Sequence, residues 1–309
     1  MKFVITGGAG FIGSHLAKQL IDENHNVSII DNLNTGKMNN LAKLRDKINF
    51  IHGDIRNVEL LREKMTDIDG VFHEAALASV QESFIKRDEY YDVNVKGTEN
   101  ILRLAKEYAF KVVYASSSSV YGNPMKIPIH EDDPKEPINP YAQTKLEDES
   151  LAVKYAKEGV KVIGLRYFNV FGDRQSQQYA GVIKKFLKKA RNGEAPIING
   201  DGTQTRDFVH VDDVVRANIM AMKSNVDHGF FNVGTATTIS VNELADIIVR
   251  EFGLSVKPIY GPALPGDVHT TKADISQAKK LLNWEPKIGI REWLKEIIST
   301  KINLDSIID

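Results

Sequence analysis

The stretch TGGAGFIG, Thr6 to Gly13, constrains the fold of this chain more than any other. It follows KFVIT, an apolar run that reads as a buried strand, and opens onto IGSHLAKQLIDE, whose apolar residues recur at helical spacing. Gly7, Gly8, Gly10 and Gly13 satisfy both a GxxGxxG and a GxGxxG reading. Glycines between a strand and a helix allow a tight turn. They also let an anion approach the backbone, where helix-terminal amides and the dipole hold negative charge. In this context the motif reads as a pyrophosphate-binding turn.

The strand and helix rhythm repeats through the first half of the chain. VSIID at 27–31, INFIHGD at 48–54, GVFHEAA at 70–76, KVVYASS at 111–117 and KVIGLRY at 161–167 read as strands. Helical patterns such as VKGTENILRLAKEYA separate them. Strands that are mostly apolar rather than alternating, each followed by a crossover helix, predict a parallel sheet covered on both faces. The expected fold is α/β, a Rossmann-like doubly wound parallel sheet with a smaller, mostly helical C-terminal domain. The boundary is placed after residue 167, giving a dinucleotide-binding domain over 1–167 and a substrate domain over 168–309. Residues 208–234, with DDVVRANIMAM and FFNVG, are expected to pack back on the sheet.

Composition narrows the function. With 40 basic and 41 acidic residues in 309, the field of the whole molecule offers no argument for nucleic acid or membrane binding. The absence of cysteine excludes disulfides, thiolate catalysis and cysteine metal sites, and fits a reducing compartment. No long apolar segment marks a signal peptide or a membrane span, so the expected location is cytoplasmic. The basic run KKFLKKAR at 184–191 reads as a solvated amphipathic face without function. His210, beside Asp212 and Asp213, reads as a strand end and helix N-cap, and no metal site is expected.

Asp31 ends the second strand, 18 positions past Gly13. A carboxylate there accepts both ribose hydroxyls and repels a 2′-phosphate, which favours NAD over NADP. Asp54, after the next strand, either reaches the adenine edge or serves as a local cap. In PYAQTK, Tyr141 and Lys145 are four apart at the start of a helix and share one face. An ammonium beside a phenol favours the phenolate form, a proton acceptor usable near neutral pH.

With these residues in place, the chain resembles the extended short-chain dehydrogenase/reductases, and within them the nucleotide-sugar 4-epimerases. The resemblance runs through TGGAGFIG, DNLNTG, GDI, HEAA, NVKGT, SSSSVYG, PYAQTK, LRYFNVFG, NGDGTQTRDFVHVDD and PGDVHTTKADIS, nearly the whole chain. It implies a catalytic trio of Ser117, Tyr141 and Lys145. Tyrosinate, helped by Ser117, removes the sugar O4 proton, hydride passes from C4 to NAD, and the 4-ketose rotates and takes hydride back on its other face. For the cofactor it implies Gly7, Gly10, Phe11, Ile12 and Gly13 at the pyrophosphate, with Asp31, Asn32, Asn34, Thr35, Gly36, Asp54 and Ile55 around the adenosine half. Ala75, Ala76, Asn94, Tyr141 and Lys145 would line the nicotinamide side.

For a UDP-sugar substrate the resemblance implies Asn169 and Arg206 at the diphosphate, with Val80, Ser117, Ser118, Asp267 and Thr271 around the sugar. Arginine suits phosphate because its planar fork gives two charge-assisted hydrogen bonds. Relatives usually carry a second arginine three positions before the aspartate of PGD. Here that position is Leu264, a loss worth about 1.5–3 kcal/mol, with Lys184, Lys185 and His269 as replacement candidates. Thr271 leaves room at the sugar C2 substituent and ALASV resembles the N-acetylhexosamine-accepting subgroup, so UDP-GlcNAc/UDP-GalNAc, alone or with UDP-Glc/UDP-Gal, are the expected substrates. Dehydratases of this fold hold an Asp-Glu pair, and decarboxylases tend to a glutamate, where this chain has Ser118 and Ser119. A dehydratase, a decarboxylase, a UDP-glucuronate 4-epimerase and a noncatalytic NAD-sensing protein stand as alternatives. The resemblance also implies a homodimer through helices around 90–108 and 141–157.

Overall fold

The computed structural model describes residues 1–175, 181–264, 268–301, 304 and 307. Apolar β-branched runs form seven strands of one sheet: β1 (Lys2–Thr6), β2 (Asn26–Asp31), β3 (Ile48–His52), β4 (Gly70–His73), β5 (Lys111–Ser117), β6 (Val162–Tyr167) and β7 (His228–Val233). Their order is β7-β6-β5-β4-β1-β2-β3, and every pairing is parallel. The chain runs outward from β1 to β3, then crosses back to β4 on the other side of β1. That reversal opens a crevice above the carboxyl ends of β1 and β4, the place where sheets of this kind bind ligands.

Helices cover both faces, as the mostly apolar, non-alternating strands require. On one face α1 (Phe11–Asp22) packs against the later helix of residues Val211–Lys223, burying Leu16, Leu20, Val214 and Met222 with Trp284. On the other, α2 (Gly97–Tyr108) and α3 (Pro140–Lys157) bury Ile101, Leu104, Ala152 and Tyr155 against Val4, Val112 and Tyr114. A separate apolar cluster beyond β6 joins α4 (Val182–Arg191), α6 (Val241–Glu251) and α7 (Ile290–Thr300) through Phe186, Leu244, Ile248 and Leu294, whereas α5 (Val211–Lys223) belongs to the first core. Within 208–234, α5 packs on β5 and β6 and β7 extends the sheet beside β6, whereas Phe208 belongs to the separate apolar cluster. Among the described residues no helix is long and apolar enough to cross a membrane.

Two strands end earlier than their apolar runs imply. β3 stops at His52 and β4 at His73, so Gly53–Asp54 and Glu74–Ala76 become loops over the crevice. At β4 the chain is turned over the glycine turn. A Cβ on Gly7 would meet the Ala75 backbone nitrogen at 2.7 Å, so the chain after β4 passes directly across Gly7, itself at φ +70°.

Candidate active site

The crevice is a cavity of about 1480 Å³ that runs from the glycine turn to the second apolar cluster. At one end, Gly7, Gly10, Phe11, Ile12 and Gly13 line it. Helix α1 begins after Gly10 with no side-chain cap, so its first amides have no acceptor in the helix. A Cβ on Gly13 would lie 2.3 Å from the Gly7 carbonyl oxygen, which is why this crossing of turn and helix requires glycine. Asp31 ends β2 beside the turn and braces it: Oδ2 accepts from Ala9 N at 2.9 Å and Oδ1 from Leu33 N at 2.7 Å. Burial raises its carboxyl above the ordinary range, against these two amides.

Asn32, Asn34, Thr35, Asp54 and Ile55 continue this wall. Arg56, unforeseen in the sequence, joins them and grips Asp54 through Nε at 2.9 Å and Nη2 at 2.8 Å. Arg56 first, then its backbone amide and Asn32, hold the Asp54 carboxyl far below its usual range against some burial. The run GDIR contains this pair, and the i, i+2 spacing of acid and base was its only signal.

At the centre of the cavity, Ser117 ends β5 while Tyr141 and Lys145 stand on the first turns of α3. Asn139 caps α3 by accepting from Ala142 N at 2.8 Å, and Pro140 starts it, which fixes where Tyr141 emerges. Ser117 Oγ accepts from Ser119 N at 3.2 Å and from Ser119 Oγ at 2.8 Å. Lys145 is buried, and its Nζ donates to Asp148 Oδ2 at 3.1 Å. Burial alone would strip its charge, but Asp148, Tyr141 and Glu74 together hold it above the usual lysine range. Glu74 lines the cavity after β4 and accepts from the Tyr167 hydroxyl at 2.8 Å. Burial pushes its carboxyl up to about 7, opposed by Tyr167 and Lys145.

Ala75 and Ala76 line the wall on the β4 side, Asn169 and Arg206 the far end. Leu264 is at that end too, with Lys184 and Lys185. The basic run at 184–191 therefore does not present a wholly solvated face: Lys184 is buried and donates to Gln175 O at 3.0 Å. His269 is not a lining residue and contacts Thr203 and Thr270 instead. Arg206 is fixed by hydrogen bonds from Nη1 to Thr205 O at 2.8 Å and His269 O at 3.1 Å.

Several expected residues do not reach the wall. Gly36 packs beneath Asp31, whose Oδ1 a Cβ there would meet at 2.9 Å. Asn94 is buried in a π-helical turn, Tyr91–Lys96, and ties the Leu77 backbone to Thr144 Oγ1. Ser118 leaves the strand line as the first residue of a 3-10 turn. Val80 starts a short helix capped by Ser79, and Thr271 is buried, accepting from Asp207 N at 3.4 Å. Asp267 lies outside the described residues. His210 caps α5, its Nδ1 accepting from Asp212 N at 3.2 Å.

Residues 3–234 match the model of the NAD dependent epimerase/dehydratase family. The chain belongs to that family. A provisionally named UDP-glucose 4-epimerase of Methanocaldococcus jannaschii is 41% identical over 302 residues, covering 96% of this chain and 97% of that one. A UDP-N-acetyl-alpha-D-glucosaminuronate decarboxylase of Bacillus cytotoxicus is 36% identical, with 96% of each covered. The solved UDP-N-acetylglucosamine 4-epimerase of Methanobrevibacter ruminantium, in complex with UDP-N-acetylmuramic acid, superposes with a TM-score of 0.92 at 36% identity over 98% of each chain.

Members of this epimerase/dehydratase family use NAD, and the residues present fit it. The uncapped start of α1 offers amides to a pyrophosphate, the glycine turn leaves no Cβ in the way, and Asp31 lines the same cavity at the end of β2, 18 positions past Gly13, as the fingerprint requires of a ribose acceptor. The cavity continues well beyond this end, leaving room for a second ligand between Tyr141 and Arg206.

Proposed function

We propose that this chain is an NAD-dependent 4-epimerase of UDP-hexoses. The observation that carries the reading is the meeting of Ser117, Tyr141 and Lys145 at the centre of one cavity whose near end is the glycine turn. NAD held at that turn supplies a hydride acceptor that is also a donor, so no net oxidation results. Tyr141, as phenolate, takes the proton of the sugar O4, and the Lys145 ammonium stabilises that phenolate. Ser117 has both acceptor positions filled by Ser119, which leaves its own hydrogen to point at the same O4. The 4-ketose turns within the cavity, is reduced on its opposite face, and recovers its proton from Tyr141.

Arg206, Lys184 and Lys185 supply positive charge at the far end for the UDP diphosphate, compensating for Leu264. Ala76, Leu77 and Ala78 add little bulk to the cavity lining, in keeping with UDP-GlcNAc/UDP-GalNAc as well as UDP-Glc/UDP-Gal, although Thr271, expected to leave that room, is not among the lining residues. The decarboxylase relative supports a second reading on the same scaffold. Against it, Ser118 and Ser119 are hydroxyls where decarboxylases tend to hold an acid, and Glu74, the lining acid that acts on Lys145, already accepts the Tyr167 hydroxyl.

Incubating the protein separately with UDP-galactose, UDP-GlcNAc and UDP-glucuronate, with products read by NMR, tests this. Interconversion of C4 epimers is expected; release of water or CO2 gives the site to the rival, and no conversion with NAD bound removes the epimerase reading. Tyr141→Phe is expected to lower turnover by about 10²-fold or more while NAD remains bound.

A further inference from the structure

Behind Tyr141 and Lys145 stands a carboxylate that the chemistry above does not use. Asp148, three residues past Lys145 on α3, is wholly buried and accepts from Lys145 Nζ at 3.1 Å through Oδ2. Its Oδ1 is buried without a hydrogen-bond partner among the described residues, although Thr98 on α2 stands against the same carboxylate. A buried carboxylate with an unsatisfied oxygen costs stability. Packing therefore does not account for it.

The charges around this pair can be named from each element. Lys145 faces Tyr141 and Asp148 on its own helix and Glu74 from the loop after β4. His73, on β4, is kept neutral by burial and the nearby Lys145, its ring nitrogens against Thr6 Oγ1 at 2.6 Å and Thr98 Oγ1 at 3.0 Å. Asp148 faces Glu149 in addition. Glu149 is occupied by Arg166, and Glu74 by Tyr167. Asp148 is thus the carboxylate that contacts the ammonium directly.

We propose that Asp148 is a positioning residue for Lys145, fixing its ammonium in the cavity wall and balancing part of the positive charge that Tyr141 meets. This rests on reading Tyr141 and Lys145 as the proton-transfer pair. Without Asp148, burial is opposed only by Tyr141 and Glu74, so the Lys145 ammonium gives up its proton at lower pH, and while it is present it acts on Tyr141 unscreened. Loss of one negative charge makes every neighbouring acid release its proton at lower pH. Both limbs of the pH profile of turnover then move the same way.

The test compares wild-type and Asp148→Asn holoenzyme. The profile of kcat is expected to move to lower pH on both limbs, by about one pH unit. Phenolate absorbance, titrated in both proteins and corrected by the same titration of Tyr141→Phe, is expected to rise earlier in the variant. A kcat that falls with both limbs and the absorbance midpoint unmoved assigns Asp148 a structural role only and overturns the proposal. Should no UDP-sugar be turned over, the functional reading fails on its own, and the absorbance comparison still decides for or against Asp148. If the amide variant does not accumulate, Asp148→Ser, small enough to admit water, carries the same comparison.

Discussion

The Arg166 guanidinium meets the Glu149 carboxylate edge to edge, Nε to Oε1 and Nη2 to Oε2, both at 2.8 Å, with both side chains buried. This contact joins β6 to α3, and Ser116 extends it to β5 by donating to Glu149 Oε1 at 2.7 Å. Arg166 Nη1 adds the Tyr121 hydroxyl at 2.7 Å and the Glu131 carbonyl at 2.8 Å. The network thus clamps the end of β5, one residue before Ser117, to the helix that carries Tyr141 and Lys145. Breaking a buried pair leaves one charge uncompensated, at a cost of about 3–5 kcal/mol. Arg166→Met is accordingly expected to lower the urea midpoint severely, and a variant of wild-type stability refutes the clamp.

The glycine turn tolerates no side chain at its crossing with α1. In Gly13→Ala the new methyl would stand 2.3 Å from the Gly7 carbonyl and 2.8 Å from the Gly8 Cα, both backbone atoms that cannot rotate aside. Displacement of the turn moves the helix amides as well as Ala75. We expect loss of bound NAD, read from the absorbance of the purified protein, together with a lower melting temperature. NAD retained at wild-type stoichiometry would show that the turn is softer than its contacts imply.

Stability should fall as the solution turns alkaline, through His15. Its ring, buried on α1, lies 3.3 Å from an Asp173 oxygen and 3.5 Å from one of Asp212. Burial opposes its charge, but Asp173 and Asp212 outweigh that and raise it to about 8. A folded value above the unfolded one means that the stabilisation is complete below about 6.5 and is lost as pH rises through about 8. The loss is about 1–2 kcal/mol, since Asp212 is largely exposed and its share is screened. His15→Gln should flatten the dependence of the urea midpoint on pH across that window; an unchanged slope assigns it to other groups.

The doubly wound sheet was legible because its signals are local. KFVIT, VSIID and KVVYASS are mostly apolar rather than alternating, the pattern that a strand buried on both faces calls for. The pyrophosphate turn was legible for the same reason, since Gly10 and Gly13 answer to backbone atoms of the turn itself, although the demand on Gly7 comes from Ala75 across the sheet. Arg56, Lys184 and Glu74 were harder to place. Each owes its position to a partner distant in the chain or to a loop whose path the local pattern does not fix.

Among the four serines of the β5 end, the family resemblance singled out Ser117, and only the fold separates their duties. Ser116 turns inward to Glu149, Ser117 faces the cavity, and Ser119 donates to Ser117 twice. Alternation along the strand sets the first two apart, and the 3-10 turn that follows brings Ser119 back. The residue types of the site were thus determined by the sequence, because Tyr141 and Lys145 share a helix face and glycine alone fits the turn. Which charges act on Lys145, and how strongly, was decided by tertiary structure: Asp148 sits three residues on in the same helix, but Glu74 comes close only once α3 packs on the sheet, and burial strengthens both fields.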